Sequence, residues 1–453
     1  MHKPFIQTLF LWVLVSNAQP LTYDVTSASC SGPGSFQQAV ADANSNPGPD
    51  TVAFKTDVSN VQDVACGLSG ADASNAYIAR VTGELIIEGN GHSITGGSRW
   101  YAPDGVSNIP GTCPQNPDVH ATVLSHPVGL IGLDDDAKVT VNDLTLKSLR
   151  AIARLRSDTD LTLNRVVAEK TYDFYRNCDT GAINLLSGAN QNVTINDSRF
   201  SEAWNNGLVR QGLPDGNQFW GNAFIAGFSN AGTLSISNSR FEFFGIPVTD
   251  WDGTVNIETT ELNDTGFINI RGGTATVTNS LFMSDAVDQE LQQRIMASNG
   301  GSITLEASTI ALGLLDCDSI CQRTTGPGVI IATNNATIEL KASAVSLGLL
   351  SNPGVLIREA TGGNVTATTA PNPNWVQPVG LQDATALRAI LDQPALLTNA
   401  PGLPNVFGRN FNYEAATPLL DDGGGTPGLL IDSVTDADTT NQLRSPIDGT
   451  LIN

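Results

Sequence analysis

Val193-Thr-Ile-Asn-Asp-Ser-Arg-Phe200 recurs as Leu234-Ser-Ile-Ser-Asn-Ser-Arg-Phe241 and again as Ala275-Thr-Val-Thr-Asn-Ser-Leu-Phe282, so that three phenylalanines stand at a constant interval of 41 residues. Looser copies occupy Val139 to Asn142, Leu161 to Asn164 and Ile303 to Glu306, and Ala307 to Leu315 is echoed by Ala342 to Leu350. In every copy apolar residues alternate with Thr, Ser or Asn. An extended chain of that pattern sends residues such as Val193, Ile195 and Phe200 to a core and leaves the polar side chains outside or at a turn. One strip cannot bury its own apolar face, whereas stacked strips can, because each covers the next. Since 41 residues is long for one coil and another apolar strip, Phe267 to Ile270, lies between two copies, the spacing predicts about two coils per interval. Spacings of 22 residues from Asn142 to Asn164 and 32 from Asn164 to Asn196 fit coils with unequal loops better than the equal blades of a propeller. The chain therefore reads as all-β, a right-handed parallel β-helix, with the recurring asparagines expected to form a side-chain ladder.

The ends of the stack are marked as well. Ser35-Phe-Gln-Gln38 has the form of a capping box, and Phe36, Ala39, Val40 and Ala43 fall on one face of a short helix that Asn46-Pro-Gly-Pro49 ends. Such a helix covers the open first coil of a solenoid. Beyond about residue 366 the pattern changes, and 9 of the 23 prolines fall there. The expected organisation is a leader over residues 1–18, a β-helix with its cap over 19–365, and a Pro-rich closing segment over 366–453, with a helix around Leu381 to Leu391.

Composition places this architecture outside the cell. Lys3, the apolar run Phe5 to Val15 and the small residues Ser16-Asn-Ala18 read as a secretory signal cleaved before Gln19. Neither that run nor any later segment is long enough to span a bilayer as a helix. The net charge of −22, from 45 acidic and 23 basic residues, argues against nucleic acid or anionic membrane as a general partner. Six cysteines in an exported chain suggest up to three disulfides. Cys317 and Cys321 are expected to close a small loop, while the pairing of Cys30, Cys66, Cys113 and Cys178 stays open.

Three further stretches carry a family likeness. Gly34 to Asn44 followed by Pro47 to Phe54 resembles the opening of secreted bacterial proteins of the pectin-lyase-like, right-handed β-helix type. Ile86 to Ile94 resembles an early coil of those proteins, and Ser445 to Gly449 their closing segment. The chain departs at Phe36-Gln37, where the family usually has Leu-Arg. The resemblance covers nearly the whole mature chain and implies the fold. For function it implies an extracellular or surface location, since members include adhesins and surface antigens.

For chemistry, hydrolases on this fold need carboxylates that converge on one sheet. Asp134-Asp-Asp136 precedes a strand and reads as a solvated turn. The polygalacturonase and pectate-lyase signatures are not present beyond Asp134-Asp135. Asp250 and Asp252, Asp316 and Asp318, and Asp285 and Asp288 offer oxygens to calcium without the spacing of a defined calcium loop, so no cofactor is expected. One feature rises above this background: Lys147, Arg150, Arg154, Arg156, Arg165, Lys170 and Arg176 gather 7 of the 23 basic residues into 30 positions. If Leu149 to Arg156 is extended, Leu149, Ala151, Ala153 and Leu155 face inward and Arg150, Ile152, Arg154 and Arg156 outward. Such a stripe would bind carboxylates or sulfates of an acidic glycan, with Tyr172, Phe174 and Tyr175 as stacking platforms. The competing structural reading pairs these cations with Asp158, Asp160, Glu169 and Asp173 of neighbouring coils. The leading expectation is an exported, non-catalytic, adhesin-like scaffold whose partner is a polysaccharide or cell-surface glycan. The alternative is a polysaccharide lyase or glycoside hydrolase that uses Asp173 as acid or base beside Arg150, Arg154, Arg156 and Arg176.

Overall fold

The computed structural model describes residues 19–61, 66, 77–96, 128–149, 151–169, 182–185, 190–201, 225–226, 231–242, 248–263, 268–284, 295–312, 330–341, 343–347, 357–368, 375–377 and 447. Their strands form three sheets of 12, 10 and 11 strands in which neighbours come from successive coils. All pairings are parallel; in one coil, for example, Lys138–Asn142 lies between Glu84–Glu88 and Asp160–Asn164. That coil runs through Gly129–Leu133 in the ten-strand sheet, turns at Asp134 to Ala137, continues as Lys138–Asn142 in the twelve-strand sheet and rounds a corner into Thr145–Lys147 of the eleven-strand sheet. Ala153–Leu155 then starts the next coil. The fold is thus the expected parallel β-helix. Propeller blades, by contrast, are antiparallel.

Alternation does the work anticipated for it. Val193, Ile195 and Phe200 are fully buried, and the matching residues of the coils above and below them are buried too. The constant interval of 41 conceals unequal structure, however. Phe200 pairs directly with Phe241, their rings stacked 5.0 Å apart, so the first interval is one coil. Phe241 pairs with Leu262 and Leu262 with Phe282, so the second interval is two. The expectation of two coils per interval therefore holds only for the second. The reason is that strand and corner lengths are fixed while the connections from the eleven-strand to the ten-strand sheet are free to vary. The two short coils have steps of 21 and 20 residues, which happen to add up to one long coil.

The conserved chemistry of the repeat lies at the corner between the twelve-strand and eleven-strand sheets. The first corner residue takes a left-handed backbone: Asp197 has φ 51°, Asn238 46° and Asn279 47°. Asp and Asn tolerate that conformation best among residues with side chains, which accounts for the Asn-Asp-Ser and Asn-Ser spellings. The next residue is a buried hydroxyl: Ser198, Ser239, Thr260, Ser280, Ser308 and Ser343. Ser239 Oγ donates to the Ser237 carbonyl at 2.7 Å and accepts from the Ser198 amide of the preceding coil at 3.1 Å. The Ser280 amide finds Ser308 Oγ in the same way, and the Ser308 amide finds Ser343 Oγ. A second ladder runs along the outer edge of the twelve-strand sheet. Asn196 donates to Asn164 and Asn164 to Asn142, each at 2.9 Å, and Asn142 ends the run on Glu88 at 2.8 Å. Ser239→Ala is expected to leave the buried Ser198 amide without an acceptor and to cost about 1–3 kcal/mol, read as a lower denaturant midpoint, whereas Ser239→Thr retains the hydroxyl and most of the stability.

The cap forms as expected, with one departure. The helix spans Phe36–Ser45, Ser35 Oγ accepts from the Gln38 amide at 3.2 Å, and Phe36, Ala39, Val40 and Ala43 are buried. The box is not closed, because the Gln38 side chain turns along the helix to Asp42 at 2.7 Å and the Ser35 amide bonds Gly32 instead. Phe36 meets Phe54 at 5.3 Å, and Asn44 covers the edge of the ten-strand sheet by donating to the Arg80 carbonyl and accepting from the Thr82 amide. A disulfide joins Cys30 to Cys66 across 36 residues and pins the cap to the first coil, which resolves part of the open pairing. At the other end, strand pairing continues past residue 365 as far as Trp375–Gln377. Cys317 and Cys321, Cys113, Cys178 and the helix expected around Leu381 to Leu391 lie outside the described residues.

Candidate functional site

The basic stretch is split among three faces of the helix. Lys147 lies on the outer side of the eleven-strand sheet, where it pairs with Glu169 of the next coil at 3.7 Å. Arg165 occupies the left-handed corner position, where both its Nε and Nη2 donate to Asp143 of the preceding coil at 2.6 and 2.7 Å. Those hydrogen bonds hold the Asp143 carboxyl below the usual carboxylate range and raise the Arg165 guanidinium. Among the described residues of the stretch, only Arg154, on the outer side of the ten-strand sheet, and Arg156, just past its strand, remain. Arg150, Lys170, Asp173, Arg176 and the aromatics Tyr172, Phe174 and Tyr175 fall outside the described residues.

One element of the expected stripe is corrected. Ile152 is fully buried rather than outward, although Ala153 beside it is buried as well. The same holds for Leu130 with Ile131 and for Ile78 with Ala79, so in these three coils the chain bends here and two consecutive residues enter the core. Beyond the bend the expected alternation holds, with Ala153 and Leu155 buried and Arg154 and Arg156 directed to solvent.

This bend creates a surface with features that the sequence did not signal. Arg154 is in register with Gly132 of the preceding coil, and Gly129 with Tyr77 of the coil before that. The half-buried Tyr77 ring lies across both glycines: a Cβ at Gly129 would meet it at 2.3 Å, and one at Gly132 would lie 3.7 Å away. Any side chain at Gly129 would therefore lift the ring. On the same strand as Tyr77, Arg80 pairs with Asp134 at 2.5 Å, and Arg156 approaches the same Asp134 oxygen at 3.8 Å. Asp135 accepts from the Ser157 amide, and the Ala137 amide closes the turn onto the Asp134 carbonyl, so Asp134 to Asp136 is the turn expected of it. Two guanidinium groups thus share one carboxylate, while Arg154 forms no ion pair with any described residue. An aromatic ring thus shares this surface with Arg80, Arg154 and Arg156, with Asp134 to Asp136 in the adjoining turn.

A second charged group lies on the eleven-strand sheet. The repeated Ser-Arg-Phe puts Arg199 and Arg240 directly opposite each other, a like-charge contact that needs compensation. Glu242 supplies it to Arg199 at 2.8 Å and Glu261 to Arg240 at 2.9 Å, with the Glu261 side chain only 4% exposed. These two carboxylates are engaged by arginine and act in holding the coils together. Near the cap, Asp57 is held below the usual range, first by the Ser93 amide and then by His92 at 3.4 Å. Carboxylates with depressed values stabilise the fold above their unfolded pKa and lose that contribution as pH falls through the folded value. Thermal unfolding is accordingly expected to be flat from pH 7 to about 5 and to weaken below about pH 4, with Asp143→Asn reducing the acid-limb slope.

Among the described residues no group of three or more His, Cys, Asp or Glu is placed to hold a metal ion, and no helix is long and apolar enough to cross a membrane. Comparison of the chain with family models, with curated proteins and with solved structures gave no match.

Proposed function

We propose that this chain is an exported, non-catalytic β-helix of the pectin-lyase-like type that binds an acidic polysaccharide outside the cell. The outer side of the ten-strand sheet at its first coils is the binding surface. The observation that carries this reading is the Tyr77 ring lying against Gly129 and Gly132 next to Arg154, with Arg80 and Arg156 sharing Asp134. A partly exposed aromatic ring offers the apolar face of a sugar a platform, and guanidinium groups bind carboxylate or sulfate in a bidentate manner. Of the other described cations of the stretch, Lys147 and Arg165 are consumed in pairs between coils, which supports a scaffold in which part of the charge is structural.

The test is binding and turnover of residues 19–453 on an array of neutral and acidic polysaccharides, alongside Tyr77→Ala and Arg154→Ala/Arg156→Ala. Saturable, salt-sensitive binding to acidic glycans that falls at least tenfold in both variants is expected. Release of new reducing ends or unsaturated uronates would establish a polysaccharide-cleaving enzyme instead. Binding that is unchanged in both variants would remove the glycan from this surface.

A further inference from the structure

The first strand, Thr22–Val25, begins beside a buried carboxylate that lacks a counter-charge among its described partners. Asp50 is 1% exposed. Its Oδ1 accepts from the Leu21 amide and from Asn46 Nδ2, both at 2.9 Å, whereas Oδ2 is buried without a hydrogen-bond partner. Asn46 Nδ2 also reaches the Gln19 carbonyl at 3.4 Å, so the chain from Gln19 to Leu21 is tied to this carboxylate at both ends. A buried carboxylate held only by neutral donors is a costly arrangement, and a cation nearby removes most of that cost. The leader is expected to be cut after Ala18, which turns the Gln19 nitrogen from a neutral amide into an α-ammonium. Two residues of chain place that nitrogen within ~7 Å of the Leu21 amide, and a free terminus rotates where a continuing chain does not.

We propose that Asp50 is the receiving site for the α-ammonium of Gln19: cleavage of the leader creates the cation that completes the buried carboxylate and locks the first strand onto the stack. The inference rests on the reading of the chain as exported and processed. In the unprocessed chain Oδ2 stays unpaired, and the edge strand that seals the first coil is held less firmly. Asp50 thereby couples processing to the strength of the cap, in the segment where the disulfide from Cys30 also acts.

The experiment uses residues 19–453 with the authentic terminus released from a cleavable tag, so that it is independent of whether the host removes the leader; mapping the N-terminus of the exported protein tests that reading separately. Gln19→Ala serves as the background, because its amine cannot be consumed by cyclisation onto its own side-chain amide. The α-amine is expected to titrate at least tenfold higher in affinity for its proton than in an Asp50→Asn chain, and N-terminal acetylation is expected to lower the thermal midpoint only where Asp50 is present. If Asp50→Asn prevents folding, hydrogen exchange of the Thr22–Val25 amides with and without acetylation gives the same answer: faster exchange on acetylation supports the pairing. An α-amine that titrates at its ordinary value, or acetylation that changes neither midpoint nor exchange, would overturn it.

Discussion

Phe241→Ala is expected to lower the unfolding free energy by about 3–5 kcal/mol. Phe241 is fully buried, its ring stacks on Phe200 at 5.0 Å on one side, and it faces Leu262 on the other. Truncation removes the transfer free energy of a ring, leaves a cavity that rigid parallel strands cannot collapse to fill, and takes away an aromatic pair. Phe282, equally buried, lies between Leu262 and Ile310 in the same column of the eleven-strand sheet. Phe282→Ala is expected to cost a comparable amount. Since each coil touches mainly its neighbours, the damage should be local. Hydrogen exchange would rise in the strands that hold Phe200 and Leu262 first, and chemical denaturation would report the free energies.

The second large effect is expected from Cys30→Ser/Cys66→Ser. Opening a loop of 36 residues restores chain entropy to the unfolded state worth about 4 kcal/mol in the loop-closure account. Both cysteines are buried at the cap, so the loss falls on the helix Phe36–Ser45 and the first strands, which shield the open end of the stack. Differential scanning calorimetry of the oxidised protein and the double variant should show a lower midpoint, and the variant should expose the first coil and associate at high concentration. An unchanged midpoint would mean that the cap is held by Phe36, Val40 and the Asn44 contacts alone.

The fold was written in the alternation and the cap in its local chemistry. Val193, Ile195 and Phe200 declare a buried strip through period two alone, and Ser35 with Phe36, Ala39, Val40 and Ala43 declares a helix through capping and period 3.6. What the sequence hid were quantities that depend on which coil meets which. Equal intervals of 41 residues masked one coil and then two, because a repeat distance adds loop to strand without distinguishing them. The buried hydroxyl ladder through Ser198, Ser239 and Ser280 sits in the repeat as an ordinary turn serine, and only stacking shows that its oxygen receives an amide from the preceding coil. The bend at Ile152 took that one residue out of the expected outward set, a change of backbone direction without a spelling of its own. Tyr77 with Gly129 and Gly132 was invisible for the same reason: the residues are more than 50 positions apart and meet only through register. Of the site expected around the basic stretch, Arg154 and Arg156 lie on one surface, and Arg165 and Lys147 went to coil pairing.

The register is the central claim, and two cysteine pairs with the same 41-residue separation test it most directly. Thr194 and Ser235 are adjacent partners in the twelve-strand sheet, which puts them ~4.8 Å apart. Ser235 and Thr276 have Asn256 between them, which puts them ~9.6 Å apart. Disulfide bridging requires Cα atoms within about 7 Å. Thr194→Cys/Ser235→Cys should therefore oxidise to a disulfide that peptide mapping locates, while Ser235→Cys/Thr276→Cys should stay reduced under the same conditions. Bridging of both pairs, or of the second alone, would contradict the parallel β-helix with the coil assignment given above.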